Sequence, residues 1–360
     1  LIPQQIRMRD YPSVITGNWN IPFPYLPSAV AMMLPLSLLP QTIAFIFWIL
    51  LQAIAFAVVL WTSMHMAGIA ADRRRLLILA AAVVIVSSPI QWDFRTHNNN
   101  LIYLALILLG LKSQRLWLSA ILFAITANLK LYSVALIPGF LWRREYRIAA
   151  ATAIATLTIA VVLPLLAFGY SHSTKLLGSW INEILFTMSP AGQAGAPLSL
   201  SKTAAALLGL EPAAFAVTVA ARSAQAVWLG IVACYFLIAA KRDAPSSRST
   251  SARLCDVVVM LMLPLPLSSW LVTYHAIVMS PAFVLIVAKL VEWEAPRGVR
   301  VMAAIAGAGC VVLRVAFPEF VLRAGVYYLS FVLVVLALGA IRMSLDRTSS
   351  TTTPIQAASP

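Results

Sequence analysis

The stretch NNNLIYLALILLGLKSQRLWLSAILFAITANLKLYSVALIPGFLWRR, Asn98 to Arg144, decides the fold. It holds three apolar pieces, Leu101–Leu111, Leu116–Leu129 and Leu131–Trp142, cut by the basic turn Lys112–Arg115 and by the single cation Lys130. A helix that crosses a membrane alone needs about 20 apolar residues for a hydrocarbon core of roughly 30 Å. These pieces are shorter, so they persist at membrane depth only when packed on other helices or lining a wet cavity. The stretch therefore predicts a bundle of helices, some of them short or broken.

The rest of the chain supplies the longer walls of such a bundle. Apolar runs cover Gln41–Met66, Leu76–Pro89, Arg147–Phe168, Ala224–Ala240, Asp256–Trp270, His275–Val291, Arg300–Phe317 and Arg323–Ile341. Across all 360 residues, 61% are hydrophobic and 11% charged, with a mean hydropathy of +0.89. A soluble domain carries roughly 25% charged residues. These figures exclude a water-soluble enzyme, a coiled coil and a disordered chain, and predict an all-α polytopic membrane protein. The net charge of +14 does not indicate nucleic acid, because no basic groove interleaved with aromatics is present. Cys234, Cys255 and Cys310 are far apart and form no CxxC or Cys/His spacing, so neither a disulfide framework nor a zinc site is expected.

Most of the Lys and Arg sit in short groups: Asp72–Arg75, Lys112–Arg115, Arg143–Arg147, Lys241–Arg253, Lys289–Arg300 and Arg342–Arg347. All fall on one side if the apolar runs alternate, and by the positive-inside rule that side is cytoplasmic. This predicts about eleven crossings (about nine to twelve) and a cytoplasmic C-terminus. The expected organisation is an extracytoplasmic loop and interfacial helix over 1–40, with the helix at Pro27–Leu39. A first transmembrane module follows over 41–240, with an extracytoplasmic loop over 169–222. A cytoplasmic linker then spans 241–255, a second transmembrane module 256–343, and a disordered tail 344–360. The location expected is the plasma (inner) membrane, multi-pass, with the working face outward.

Polar groups concentrate on that outer face, above all in Gln91-Trp-Asp-Phe-Arg-Thr-His-Asn-Asn-Asn100. Lys130 stands out, because an ammonium at membrane depth costs a few kcal/mol and marks a functional site by default. The ordinary alternative is a lysine snorkelling from a helix end to the interface. A buried cation facing the outer leaflet suits the phosphate of an anionic lipid. Trp270 and Tyr274-His275 form a second cluster, read either as an aromatic belt or as a helix break that offers His275 to a charged oxygen. Trp180–Phe186, which includes Glu183, is an amphipathic stretch suited to the membrane surface and to docking a lipid.

The order of these elements resembles glycosyltransferase family 87, membrane enzymes of the GT-C superfamily that use polyprenyl-phosphate sugars. Asp10-Tyr-Pro12 is similar to the end of the family's first outer loop. Ile21-Pro-Phe-Pro-Tyr-Leu-Pro27 with Leu34–Pro40 resembles its Tyr-x-Pro stretch and apolar helix. Asn98-Asn-Asn100-Leu-Ile stands where the family has Gly-Gln-x-Asn, with His97 and Asn98 in place of Gly and Gln. Ala127-Asn-Leu-Lys-Leu-Tyr-Ser133 followed by Trp142-Arg-Arg144 resembles Ala-x-x-Lys-x-Tyr-Pro and its basic loop, with Ser133 replacing Pro. Leu267–His275 resembles the family's Ser-Trp-x-His-His region at altered spacing.

The resemblance implies a GT-C-like bundle and transfer of a sugar, mannose or arabinose, from a polyprenyl-phosphate donor to a lipid or glycan hydroxyl. It places Lys130 and Asn100 on the donor phosphate and His275 in catalysis; Asn98 joins the phosphate set beside Asn100, Asp10 is the catalytic acid chosen within the visible chain, and Asp93, Glu183, Tyr132, Trp270 and Tyr274 are further candidates. The family's essential Asp precedes the Tyr-x-Pro stretch by several tens of residues, and Asp10 stands closer than that. Since the chain opens at Leu1, two readings remain open: the catalytic Asp lies upstream in a longer parent, or another acid does its work, Asp10 ahead of Asp93 and Glu183. No Asp-x-Asp occurs, and neither metal nor cofactor is expected. Membrane lipids are expected partners and nucleic acid is not. The rival readings are a transporter or flippase of lipid-linked sugars and a non-catalytic membrane subunit.

Overall fold

The computed structural model describes residues 26–69, 78, 81–83, 89–91, 93–95, 98–182, 200–211, 215–240, 249–267, 273–292, 295–316 and 323–350. These are helical with short turns, and no strand occurs among them. The helices are α1 (Pro27–Ser37), α2 (Gln41–Met66), α3 (Asn100–Lys112), α4 (Leu116–Leu129), α5 (Leu136–Trp142), α6 (Tyr146–Asn182), α7 (Leu200–Leu208), α8 (Phe215–Ala240), α9 (Thr250–Met262), α10 (Ser280–Val291), α11 (Arg297–Ala316) and α12 (Arg323–Ser350). Segments 3-10 helical in form, Leu131–Ala135 and Thr273–Met279, precede α5 and α10. Four helices, α2, α6, α8 and α12, contain stretches long and apolar enough to cross a membrane. The protein is an all-α polytopic membrane protein.

Two compact units divide the chain, residues 1–59 with 91–197 and residues 60–90 with 198–360. In the first, α4 packs on both α3 and α6, α1 and α5 also pack on α6, and α3 is buried on nearly every side. An apolar helix with no polar face belongs inside a bundle, which is how the short pieces survive. Close approach of α3 and α4 depends on Gly110, where a Cβ would stand 2.7 Å from Phe123 Cε1. Phe123 in turn packs on Phe140 with ring centroids 5.1 Å apart. The outward face of α4 carries Trp117, Leu118 and Ile121, all exposed, as lipid contact requires.

Ser28 and Asn128 tie three helices together. Ser28 Oγ donates to Asn128 Oδ1 at 2.6 Å, and Asn128 Nδ2 donates to Ala124 O and, on α6, to Thr156 O at 3.2 Å. The expected helix at Pro27–Leu39 thus has its first turn buried on this joint.

In the second unit α12 packs on α8, α9, α10 and α11. Tyr328 Oη donates to Ala224 O, and Trp228 Nε1 to Leu263 O. Near the other ends of α8 and α12, Asp256 of α9 accepts from Tyr235 Oη at 2.8 Å and lies 3.5 Å from Arg342 Nε.

Several boundaries differ from expectation. The expected outer loop 169–222 is helical over much of its described part. Gly169 takes φ 74 and ψ 168, a non-helical conformation open to glycine, so the helix from Tyr146 breaks there, where the expected run Arg147–Phe168 ends, and a second helical stretch follows to Asn182. The loop also contains α7, and α8 begins at Phe215. The helix α9 starts at Thr250 because Ser249 caps it, accepting from Ala252 N at 3.1 Å. Helix α12 continues to Ser350, into the stretch expected to be a disordered tail. Most of the expected run Leu76–Pro89 lies outside the described residues.

Candidate functional site

The first turn of any helix leaves its N–H groups without intrahelical partners. At α3 the flanking Asn99 provides no side-chain cap, and the missing acceptor comes from Asp93, whose Oδ2 accepts from Leu101 N at 3.2 Å. The other carboxylate oxygen, Oδ1, accepts from Asn100 Nδ2 at 2.5 Å. Asn100 Oδ1 takes the Tyr132 hydroxyl at 3.2 Å, and Tyr132 and Tyr103 hydroxyls lie 2.9 Å apart with their rings edge to face. Asp93, Asn100 and Tyr103 are fully buried, while Tyr132 is half-buried.

Lys130 stands at the C-terminal end of α4, where the chain turns extended (φ −143, ψ 106). Its N–H closes the helix on Thr126 O at 2.8 Å, and its carbonyl accepts from Ser133 N as the 3-10 segment begins. Carbonyls gathered at a helix C-terminus favour a cation. The residue is only 6% exposed. Burial pushes the Asp93 carboxyl above the usual carboxylate range; bonds from Asn100 and Leu101 and the Lys130 charge pull it back. The buried cation and the buried acid therefore share one low-dielectric neighbourhood.

The antiparallel pairing of α3 and α4 sets the polarity of this unit. Asn100 and Lys130 lie at one end of the pair, and the basic turn Lys112–Arg115 lies at the other. Lys130 thus belongs to the polar end.

Of the expected site residues, the structure brings together Asp93, Asn98, Asn100, Lys130 and Tyr132. Asn98 is used within the loop itself, its Oδ1 accepting from Asn99 N and its N–H bonding Asp93 O. The amide of Asn100 is engaged by Asp93 and Tyr132. Tyr274 and His275 lie in the 3-10 helix Thr273–Met279 of the second unit, with side chains outside the described residues. Asp10, Glu183 and Trp270 also lie outside the described residues. Among the described residues, no group of three His, Cys, Asp or Glu is placed to hold a metal ion.

Two members of the cluster were not singled out from sequence. Gln52, buried in the middle of α2, donates from Nε2 to Asn98 O at 2.6 Å and to Asp93 O at 3.3 Å. A lone amide inside a long apolar run was the available signal, since such a group needs a partner in lipid. Tyr103 reads as one more core aromatic, and only the fold gives its hydroxyl a partner.

The family model of Glycosyltransferase family 87 matches residues 23–264, two thirds of the chain and the whole of this cluster. The chain belongs to Glycosyltransferase family 87. A curated relative in Mycolicibacterium smegmatis (strain ATCC 700084 / mc(2)155), named polyprenol-phosphate-mannose-dependent alpha-(1-2)-phosphatidylinositol pentamannoside mannosyltransferase, is 29% identical over 166 residues. That match covers 45% of this chain and 40% of the relative. No solved structure matches the chain. Asp10, Trp270, Tyr274 and His275 lie outside the residues matched to glycosyltransferase family 87, whereas Asp93, Asn98, Asn100, Lys130, Tyr132 and Glu183 lie within them.

Proposed function

We propose that this member of glycosyltransferase family 87 transfers a mannosyl residue from a polyprenyl-phosphate donor to a hydroxyl of a lipid or glycan acceptor, at the extracytoplasmic face of the plasma membrane. The observation that carries the reading is Lys130, a buried cation at the polar end of the α3–α4 pair and inside the family match. The relative's printed dependence on polyprenol-phosphate-mannose favours mannose over arabinose.

In the proposed reaction the acceptor oxygen attacks the anomeric carbon, and the bond from that carbon to the phosphate oxygen breaks with its electron pair going to the phosphate. Negative charge grows on the leaving phosphate, and the Lys130 ammonium, held in a water-poor site, stabilises it there. A carboxylate takes the acceptor proton; within this chain that role is assigned to Asp10, with Glu183 the other acid proposed for the outer face. Asp93 is a poor base, since both its oxygens already accept hydrogen bonds. The outward orientation is supported by the basic turns Lys112–Arg115 and 143–147, which fall at the end of the helices away from Lys130; the basic group Arg342–Arg347 supports a cytoplasmic C-terminus.

The test is an assay of membranes carrying the chain, given labelled polyprenyl-phosphate mannose. A mannosylated lipid or glycan is expected. Label that crosses the bilayer unchanged, with no product formed, overturns the transferase reading in favour of a flippase.

A further inference from the structure

The hydrogen bonds from Asp93 to Tyr103 run in one sense. A carboxylate only accepts, so the amide group of Asn100 facing it must be the NH2. Asn100 then presents its carbonyl oxygen to Tyr132, whose single hydroxyl proton must go there. Tyr132 has no proton left for Tyr103, so the buried Tyr103 hydroxyl donates to Tyr132. Every proton in the row therefore points toward Asp93. Tyr132 is two residues from Lys130, on the 3-10 segment that begins with the Lys130 carbonyl. Fixing the Tyr132 hydroxyl onto α3 fixes the chain break that presents Lys130.

We propose that Asp93, Asn100, Tyr132 and Tyr103 form a directional hydrogen-bond relay that positions the Lys130 ammonium for the donor phosphate, with Asp93 and Tyr103 as positioning residues. The inference rests on the reading that Lys130 meets the donor phosphate. Asp93→Asn breaks the sense of the row: the new side chain offers one oxygen to the two donors that Asp93 accepted. Asn100 is then free to turn over and present its NH2 to Tyr132, which releases the tyrosine proton. Exchanging the two residues, Asp93→Asn with Asn100→Asp, leaves every bond satisfiable. The oxygen at 93 still accepts from Leu101 N, its NH2 donates across to the carboxylate at 100, and that carboxylate accepts from Tyr132.

The experiment measures the affinity of the full chain in nanodiscs for a short-chain polyprenyl monophosphate, alongside the unfolding temperature of each variant. Binding does not require turnover, so the readout is independent of which acid is the base. Tyr103→Phe and Asp93→Asn are each expected to weaken binding about tenfold, the scale of one lost net hydrogen bond. Tyr103→Phe keeps the ring and should leave the unfolding temperature close to that of the unaltered chain. The double exchange is expected to restore binding. Unchanged affinity in Tyr103→Phe, or no recovery in the double exchange, overturns the relay while Lys130→Ala still abolishes binding. Undiminished binding in Lys130→Ala overturns the phosphate site itself and the relay with it.

Discussion

Asp93 Oδ1 and Asn100 Nδ2 lie 2.5 Å apart, across the turn that opens α3. This contact makes one buried carboxylate both the cap of a central helix and the acceptor end of a polar row that reaches the α4 break. A helix of this length, 13 residues and roughly 20 Å at 1.5 Å per residue, does not cross a bilayer. Its start is buried at Asp93 and Asn100, where water does not compete for the cap. The capping that is marginal on a soluble helix becomes obligatory here.

Gln52 is the bracket that holds this turn to α2. Gln52→Leu keeps the volume but leaves the carbonyls of Asn98 and Asp93 without that donor. A loss of about 1–3 kcal/mol is expected, read as a lower midpoint in thermal unfolding in detergent. An unchanged midpoint would show that the turn holds itself.

Gly110→Val should destabilise the first unit by about 1–3 kcal/mol through overpacking, because the added Cβ meets the Phe123 ring at 2.7 Å. Combining it with Phe123→Leu should recover part of that loss. Additive losses in the pair would place the clash elsewhere.

In the second unit, Asp256→Ala removes the carboxylate that lies 3.5 Å from the buried Arg342 Nε. Breaking one partner of such a pair costs about 3–5 kcal/mol, while replacing both by apolar residues is often close to neutral. Asp256→Leu with Arg342→Met is thus expected to unfold nearer to the unaltered protein than Asp256→Ala does. The double-mutant cycle in thermal unfolding reads the coupling.

Arg144 is a non-glycine residue at φ 58, in the turn where its N–H bonds Leu141 O and the next N–H bonds Phe140 O. Side chains pay roughly 1–2 kcal/mol for this conformation, and the residue is exposed. Arg144→Gly is expected to leave stability equal or slightly raised, the relief being partly cancelled by the freer unfolded chain. A marked loss would assign the Arg144 side chain a binding partner.

Much of this was readable from residues. The three short pieces between Leu101 and Trp142 appear as α3, α4 and the 3-10 segment with α5, because apolar length and the intervening Lys and Arg fix them before any packing is known. Gln41–Met66 appears with the same bounds for the same reason. The break of α6 at Gly169 falls where the run Arg147–Phe168 ends, whereas the helical stretch that follows to Asn182 was not readable, since its Ser, His, Thr and Lys residues read as loop. Lys130 was conspicuous as a cation in an apolar run. Its neighbour Asp93 was one of several outer acids, and only the turn that folds back on α3 selects it. Gln52 and Tyr103 bond to groups far away in sequence, which periodicity does not carry.

Whether the Lys130 ammonium meets the donor phosphate is read from the rate of mannosyl transfer by Lys130→Ala. Asp93 can take up a proton when the cation is gone, so the variant is expected to fold, with Lys130→Ala/Asp93→Asn as a charge-balanced companion. A loss of at least about a hundredfold in turnover is expected, at a retained unfolding midpoint. Turnover equal to that of the unaltered chain would contradict it.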